Sequence, residues 1–139
     1  MFRKTKTRLE REGEFKGIKF FKEYYNKEAK QVWFKCTNEP RGLITMVNRL
    51  RANHYNLKES LARKNYIEDA ICECEKEMQD IYHLVFRCER LEEAKNELYR
   101  MLEKLEITYP YNIDDWLKNV RIKPLKAVWT FLNKIGKII

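Results

Sequence analysis

Glycine and proline are scarce in this chain, four and three among 139 residues. Long loops, collagen-like sequence and disordered linkers are therefore not expected, since each needs one or both residues in quantity. No apolar run approaches the roughly 20 residues that cross a bilayer. Met1-Phe2-Arg3-Lys4 has no apolar stretch behind it and does not read as a secretory signal. Cysteine occurs four times and histidine twice. These absences lead to the expectation of a reduced, intracellular protein of the nucleus or cytoplasm, free of membrane. Its cysteines then read as thiols or metal ligands rather than disulfides. No internal repeat is visible, and the length suits one domain with a modest core.

Against that scarcity, one stretch concentrates the chemistry. Cys72-Glu73-Cys74 is followed after eight residues by His83 and after four more by Cys88. Three thiols and an imidazole make a complete ligand set for one tetrahedral Zn²⁺, with no open position for water. Closed sites of this kind are structural, and binding the ion is largely folding free energy. Cys72 and Cys74 can both point inward from one tight extended turn. Residues 81–87 are expected to form a turn or two of helix, with His83 on the inner side and Cys88 just past the end. The alternative is a buried apolar segment with incidental cysteines. A Cys–His nucleophilic dyad is disfavoured because no orienting third residue stands at a recognisable spacing. Cys36 falls outside the set, and His54 reads as a turn or packing residue.

The net charge of +8 is unevenly distributed. Residues 1–35 hold 11 basic and 5 acidic groups, 36–66 hold 6 and 2, and 110–139 hold 6 and 2. The metal segment lies in the opposite block, 67–109, with 6 basic and 12 acidic groups. A basic excess favours polyanions, most often nucleic acid. The phosphate-facing surface is then expected on the flanking helices and not on the metal module.

Apolar periodicity outlines those helices. Residues 3–26 read as a basic helix with Ile18, Phe21 and Tyr25 on one side, followed by Trp33-Phe34 as a loop anchor. Leu43, Met46, Val47 and Leu50 at i, i+3, i+4, i+7 mark an amphipathic helix. Asn53-His54-Tyr55-Asn56 breaks it, and Asn56 is expected to cap a short second helix that carries Leu57 and Leu61. The two helices together read as a helical hairpin. Leu91, Ala94, Leu98, Met101, Leu102 and Leu105 predict a long helix to about residue 107. Asn112 is expected to cap a short helix with Trp116 and Leu117 buried. Pro124 is expected to open a final helix whose shared face is Leu125, Val128, Trp129, Leu132 and Ile135, ended by Gly136.

Several of these residues also carry a resemblance. Ile44-Thr45, Asn48-Arg49-Leu50-Arg51, His54-Tyr55, Leu57 and Ser60-Leu61-Ala62-Arg63 are followed by Cys72, Cys74, Asp80-Ile81, His83 and Cys88. This run resembles the zinc-knuckle region at the C-terminal end of insect jockey-like non-LTR retrotransposon polyproteins, which follows reverse transcriptase and ribonuclease H. The likeness extends to Trp33-Phe34, Tyr109-Pro110-Tyr111 and the last helix. Glu75 and Glu89 depart from it, since the family usually has Gly and Pro there. The resemblance implies zinc binding and a part in handling the element's RNA or target DNA, in a fragment or host-adopted remnant of such an element. It transfers no catalysis, because the carboxylate cluster of polymerases and ribonuclease H has no equivalent here.

The expectation is thus a mainly α, small zinc-stapled helical domain with a short extended turn at the metal site. A single domain would span 1–139: a basic N-terminal helix in 1–35, the hairpin, zinc module and long helix in 40–107, and C-terminal helices in 112–136. Zn²⁺ would be held by Cys72, Cys74, His83 and Cys88. Arg41, Arg49, Arg51, Arg63 and Lys64 would contact phosphates, Lys4, Lys6 and Arg8 would form a looser arm, and Tyr55 would stack on an unpaired base. The partners would be RNA or DNA, bound nonspecifically, and the reverse transcriptase of the same element. The rival expectations are a scaffold module that docks on that polymerase, through the Trp129 helix or the acidic 89–106 helix, and a remnant with no present function.

Overall fold

The computed structural model describes residues 19–25, 31–35 and 37–139. Most of the helix expected over 3–26 lies outside them, as do Lys4, Lys6, Arg8 and Cys36. What is described there is one π-helical turn, Phe20–Tyr24. The chain is mainly helical, and among the described residues the extended pairing is a single bridge between Ile71 and Met78.

Helix α1, Arg41–Arg51, buries the four residues its periodicity selects: Leu43, Met46, Val47 and Leu50. Trp33 holds the preceding loop onto α1, its Nε1 donating to Asn48 Oδ1 at 2.8 Å. Helix α2, Lys58–Arg63, has only six residues and no side-chain cap of its own. Asn56 does not cap it; its amide donates instead to the Ile138 carbonyl at 3.4 Å. Gln79 does that work from across the chain, its Oε1 accepting from the Lys58 N–H at 3.2 Å and its backbone carbonyl from Glu59 N–H at 3.1 Å. Two orphan donors of the first turn are satisfied this way.

Helix α3, Glu92–Lys104, presents Ala94, Leu98 and Leu102 inward. It ends three residues short of the expected 107, because Glu106 turns left-handed at φ 59 and lets the Ile107 N–H reach back to the Leu102 carbonyl. Helix α4, Ile113–Lys118, is capped as expected, the Asn112 side chain accepting from Asp115 N–H at 3.0 Å. It buries Ile113 as well as Trp116 and Leu117.

Helix α5, Ile122–Lys134, begins two residues before Pro124. Proline fits there because the first N–H groups of a helix have no intrahelical acceptor to lose. Its buried face is wider than the expected stripe, adding Ala127 and Phe131 to Leu125, Val128 and Leu132, while Trp129 and Ile135 are half-buried. The cause is tertiary. Helices α1, α3 and α4 all pack on α5, so one helix must offer apolar surface in three directions. Each fully buried leucine here contributes roughly 2 kcal/mol. Gly42 permits the α1–α5 approach, since a Cβ there would lie 3.2 Å from Trp129 Nε1.

Candidate metal centre

The extended turn between Ala70 and Gln79 sets two of the four ligands. The Cys72 N–H donates to the Glu77 carbonyl at 2.9 Å, and Gln79 N–H to the Ala70 carbonyl at 2.8 Å. At the tip, Glu75 N–H donates to the Cys72 carbonyl at 2.8 Å, with Glu75 itself at φ 63. Glu75 thus adopts the left-handed conformation that favours glycine. The turn aims backbone donors at sulfur, that of Cys74 at Cys72 and those of Lys76 and Glu77 at Cys74.

The other two ligands sit within and just past residues 81–87, which are helical as expected. His83–Arg87 is wound in π register, and the Cys88 N–H bonds to the His83 carbonyl at 2.7 Å. That register points the buried His83 ring and the buried Cys88 thiol at the turn. Cys72 Sγ lies 3.8 Å from Cys88 Sγ, and Cys74 Sγ lies 3.3 Å from His83 Nε2. The ligand atoms of Cys72, Cys74, His83 and Cys88 all lie within 4.8 Å of one another, and the group can hold a metal ion. The cysteines are free thiols.

Around the ligands stands a supporting layer that the sequence did not single out. Glu77 Oε2 is 2.9 Å from His83 Nδ1, which places that ring proton on Nδ1 and leaves Nε2 to face the sulfurs. The bond to His83, together with Arg87, holds the Glu77 carboxyl below its usual range. Gln79, buried, donates to Glu73 Oε2 at 2.8 Å and approaches Cys72 Sγ at 4.0 Å. Asp80 Oδ1 accepts from the His83 N–H at 2.7 Å. The acidic character of this block was visible in sequence, but not that Glu77, six residues before His83, would fold back onto its ring. Glu77 also supplies the third member that the Cys–His dyad lacked. Two further thiols aimed at the same point make the set a ligand cluster rather than a nucleophile with its base.

Electrostatics point the same way. Burial pushes the Cys72 thiol up to about 11, while backbone donors, Lys76 first, bring Cys74 down to about 7. A buried thiolate beside another sulfur is costly without a neighbouring cation, which is what a metal ion provides.

Of the expected nucleic-acid residues, Arg41 and Arg49 line one groove, while Arg51, Tyr55 and Arg63 are engaged within the fold. Tyr55 is buried and its hydroxyl donates to Glu59 Oε2 at 2.8 Å, so its ring packs in the core and is not offered to a base. The hydrophobic pull of a tyrosine ring beside Leu57 outweighs the turn-like polarity of its neighbours in sequence. Arg51 lies 5.4 Å over the Tyr24 ring and donates to the Tyr24 carbonyl at 3.0 Å. Arg63 is tied to Glu59 at 2.9 Å and to the Asn53 carbonyl at 3.0 Å. Arg41 and Lys64 are exposed and form no ion pair among the described residues, while exposed Arg49 donates to the Ile139 carbonyl at 2.6 Å.

An aromatic cleft of about 510 Å³ was not foreseen. Phe86, Tyr111 and Tyr99 lie nearly parallel, with centroids 5.3 and 5.8 Å apart, and Tyr109 beside them is 82 % exposed. Its residues come from three separate segments, which no local spacing reveals. Among the described residues no helix is long and apolar enough to cross a membrane. Comparison of the chain with protein-family models, with curated proteins and with solved structures finds no match.

Proposed function

We propose that the chain is a zinc-stapled nucleic-acid-binding domain of retrotransposon origin, accessory to a reverse transcriptase and non-catalytic itself. The observation that carries the reading is the convergence of three thiols and one imidazole within 4.8 Å. With Zn–S bonds of about 2.3 Å, a tetrahedral site has edges of roughly 3.8 Å. The Cys72–Cys88 separation of 3.8 Å matches that edge. A Cys₃His set with a carboxylate behind the histidine fits zinc by donor softness and by its second layer. A structural role is favoured because the recess beside Cys72 and Cys88 measures about 120 Å³, well under the roughly 300 Å³ of small-molecule sites. Nucleic acid, in the nucleus or cytoplasm, is favoured by the +8 charge and by exposed Arg41, Arg49 and Lys64 outside the acidic block.

Metal analysis by mass spectrometry of the purified chain, paired with Cys88→Ser, tests the staple. One zinc per chain, lost in the variant together with helicity, is the expected result; a metal-free, fully helical wild type overturns it. RNA affinity is expected to fall steeply as salt rises, through counterion release. A flat salt response removes the nucleic-acid reading.

The aromatic cleft favours a second reading, a module that docks a protein such as the polymerase. Helices α3 and α5 turn their apolar faces into the core, so a docking surface is better placed at Tyr109 than on either helix. Under this reading Tyr109→Ala weakens partner binding and Arg41→Glu with Arg49→Glu leaves it intact. Under the first, the arginine pair removes RNA binding and Tyr109→Ala does not.

A further inference from the structure

Between α1 and α5 runs a groove of about 430 Å³. Its walls are two rows with the same spacing. Arg41, Thr45 and Arg49 stand at i, i+4, i+8 along α1, and Trp129, Asn133 and Lys137 repeat that interval along α5 and the turn that closes it. Residues four apart share a helix face, so Arg41, Thr45 and Arg49 form one line on α1 and Trp129 and Asn133 another on α5, while Lys137 joins the groove from beyond the helix end. Gly42 keeps the rows close by admitting the Trp129 indole. Three cations line the groove, and no acidic side chain is among the lining residues. Lys137 also acts on Glu73, but Glu73 already faces Lys58 at 3.4 Å and Arg90 at 3.8 Å.

We propose that this groove is the track of single-stranded nucleic acid, its phosphates held by Arg41, Arg49 and Lys137 with Thr45 and Asn133 as neutral donors. The proposal rests on the nucleic-acid reading above and adds its location and strand type. Charge complementarity selects a polyanion. The volume falls in the range of about 300–1,000 Å³ that accepts a small ligand, which suits unpaired nucleotides taken a unit at a time. A duplex, with its bases stacked inside, gains little from a recess of that size. Arg49 can keep its bond to Ile139 and still contact a phosphate, because a guanidinium carries five N–H donors. Lys137 and Asn133 lie far from the arginines in sequence and so escape any local motif.

The test is fluorescence anisotropy with a labelled single-stranded RNA of about 12 nucleotides, using the zinc-loaded chain. Lys137→Glu and Thr45→Glu are each expected to weaken binding about tenfold, and Lys137→Gln to flatten the salt dependence by about one phosphate contact. Lys104→Glu, at an exposed position in the acidic block, should stay within about twofold. Circular dichroism checks that the variants fold. Photocrosslinking of a 4-thiouridine version of the RNA to the unmutated chain is expected to mark peptides that hold Trp129–Lys137. If RNA binds but groove variants change nothing, or crosslinks map only near Lys64, the groove is wrong and the nucleic-acid reading survives. A duplex bound as tightly as the single strand overturns the strand preference. If no RNA binds even at low salt, both fall.

Discussion

With so few glycines, left-handed backbone falls to residues that resist it. Asn53, Asn65, Glu75, Glu106 and Val120 have φ between 45° and 63°, while Gly136 has φ 75. All but Glu75 follow an α-helix, where the next residue's N–H reaches back to a carbonyl in the last turn, as Arg121 does to Trp116 at 2.8 Å. Asparagine tolerates the conformation, but a β-branched valine does not. Val120→Gly is therefore expected to stabilise the fold by about 1 kcal/mol, read as a raised urea midpoint with unchanged slope. Glu75→Gly is expected to act at the metal centre, by relaxing the turn that carries Cys72 and Cys74. Chelator competition should then show tighter metal binding, several-fold by the same energy scale, and weaker binding would contradict the strain argument.

At the level of elements, α2 is the dependent one. Six residues are too few for a helix to persist alone, and its first turn is held by Gln79 from the segment of the candidate metal centre. Gln79→Ala would remove a buried side chain, leave the half-buried Lys58 N–H without its side-chain acceptor and take a partner from Glu73. The expected cost is about 2 kcal/mol, measured by urea unfolding, with α3 and α5 unaffected in hydrogen exchange. Helix faces were legible for α1, α3 and α4, since a 3.6-residue period is a local property of the chain. The cap on α2 was not, because Asn56 has the right chemistry at the right place and loses to a glutamine from the other side of the turn. Similarly, the width of the α5 face depends on having three neighbours, which its own sequence does not announce.

Across the whole molecule, the N-terminal turn is fastened to the C-terminal half by a shared carboxylate. Asp114 accepts from Tyr24 Oη at 2.9 Å, from Tyr82 Oη at 3.0 Å and from Lys19 Nζ at 3.2 Å. Burial, with Asp114 beside them, raises both tyrosines above their ordinary 10.0, Tyr82 to about 12. Above pH 10 an unfolded chain releases these protons while the folded chain keeps them. The stability they contribute is thus complete below pH 10 and is lost as pH climbs toward 12. Urea midpoints from about pH 8 to about pH 11 should decline at the upper end, and less so in Tyr82→Phe. A wild-type midpoint that stays constant over that range would deny the network its role.

What the sequence determined by itself is whatever depends on neighbours along the chain: the four ligands, drawn from 17 consecutive positions, and the apolar lines of the helices. Their covalent spacing restricts where they can go, so the chemistry is readable before folding. Tertiary structure alone decided which polar and aromatic groups remain on the surface. It sank Tyr55 into the core, laid Arg51 over Tyr24, brought Glu77 onto His83 and set the Arg41 row opposite the Lys137 row. Those outcomes follow from how much apolar area each site offers when distant segments meet, and burial of that kind is a property of the assembled molecule.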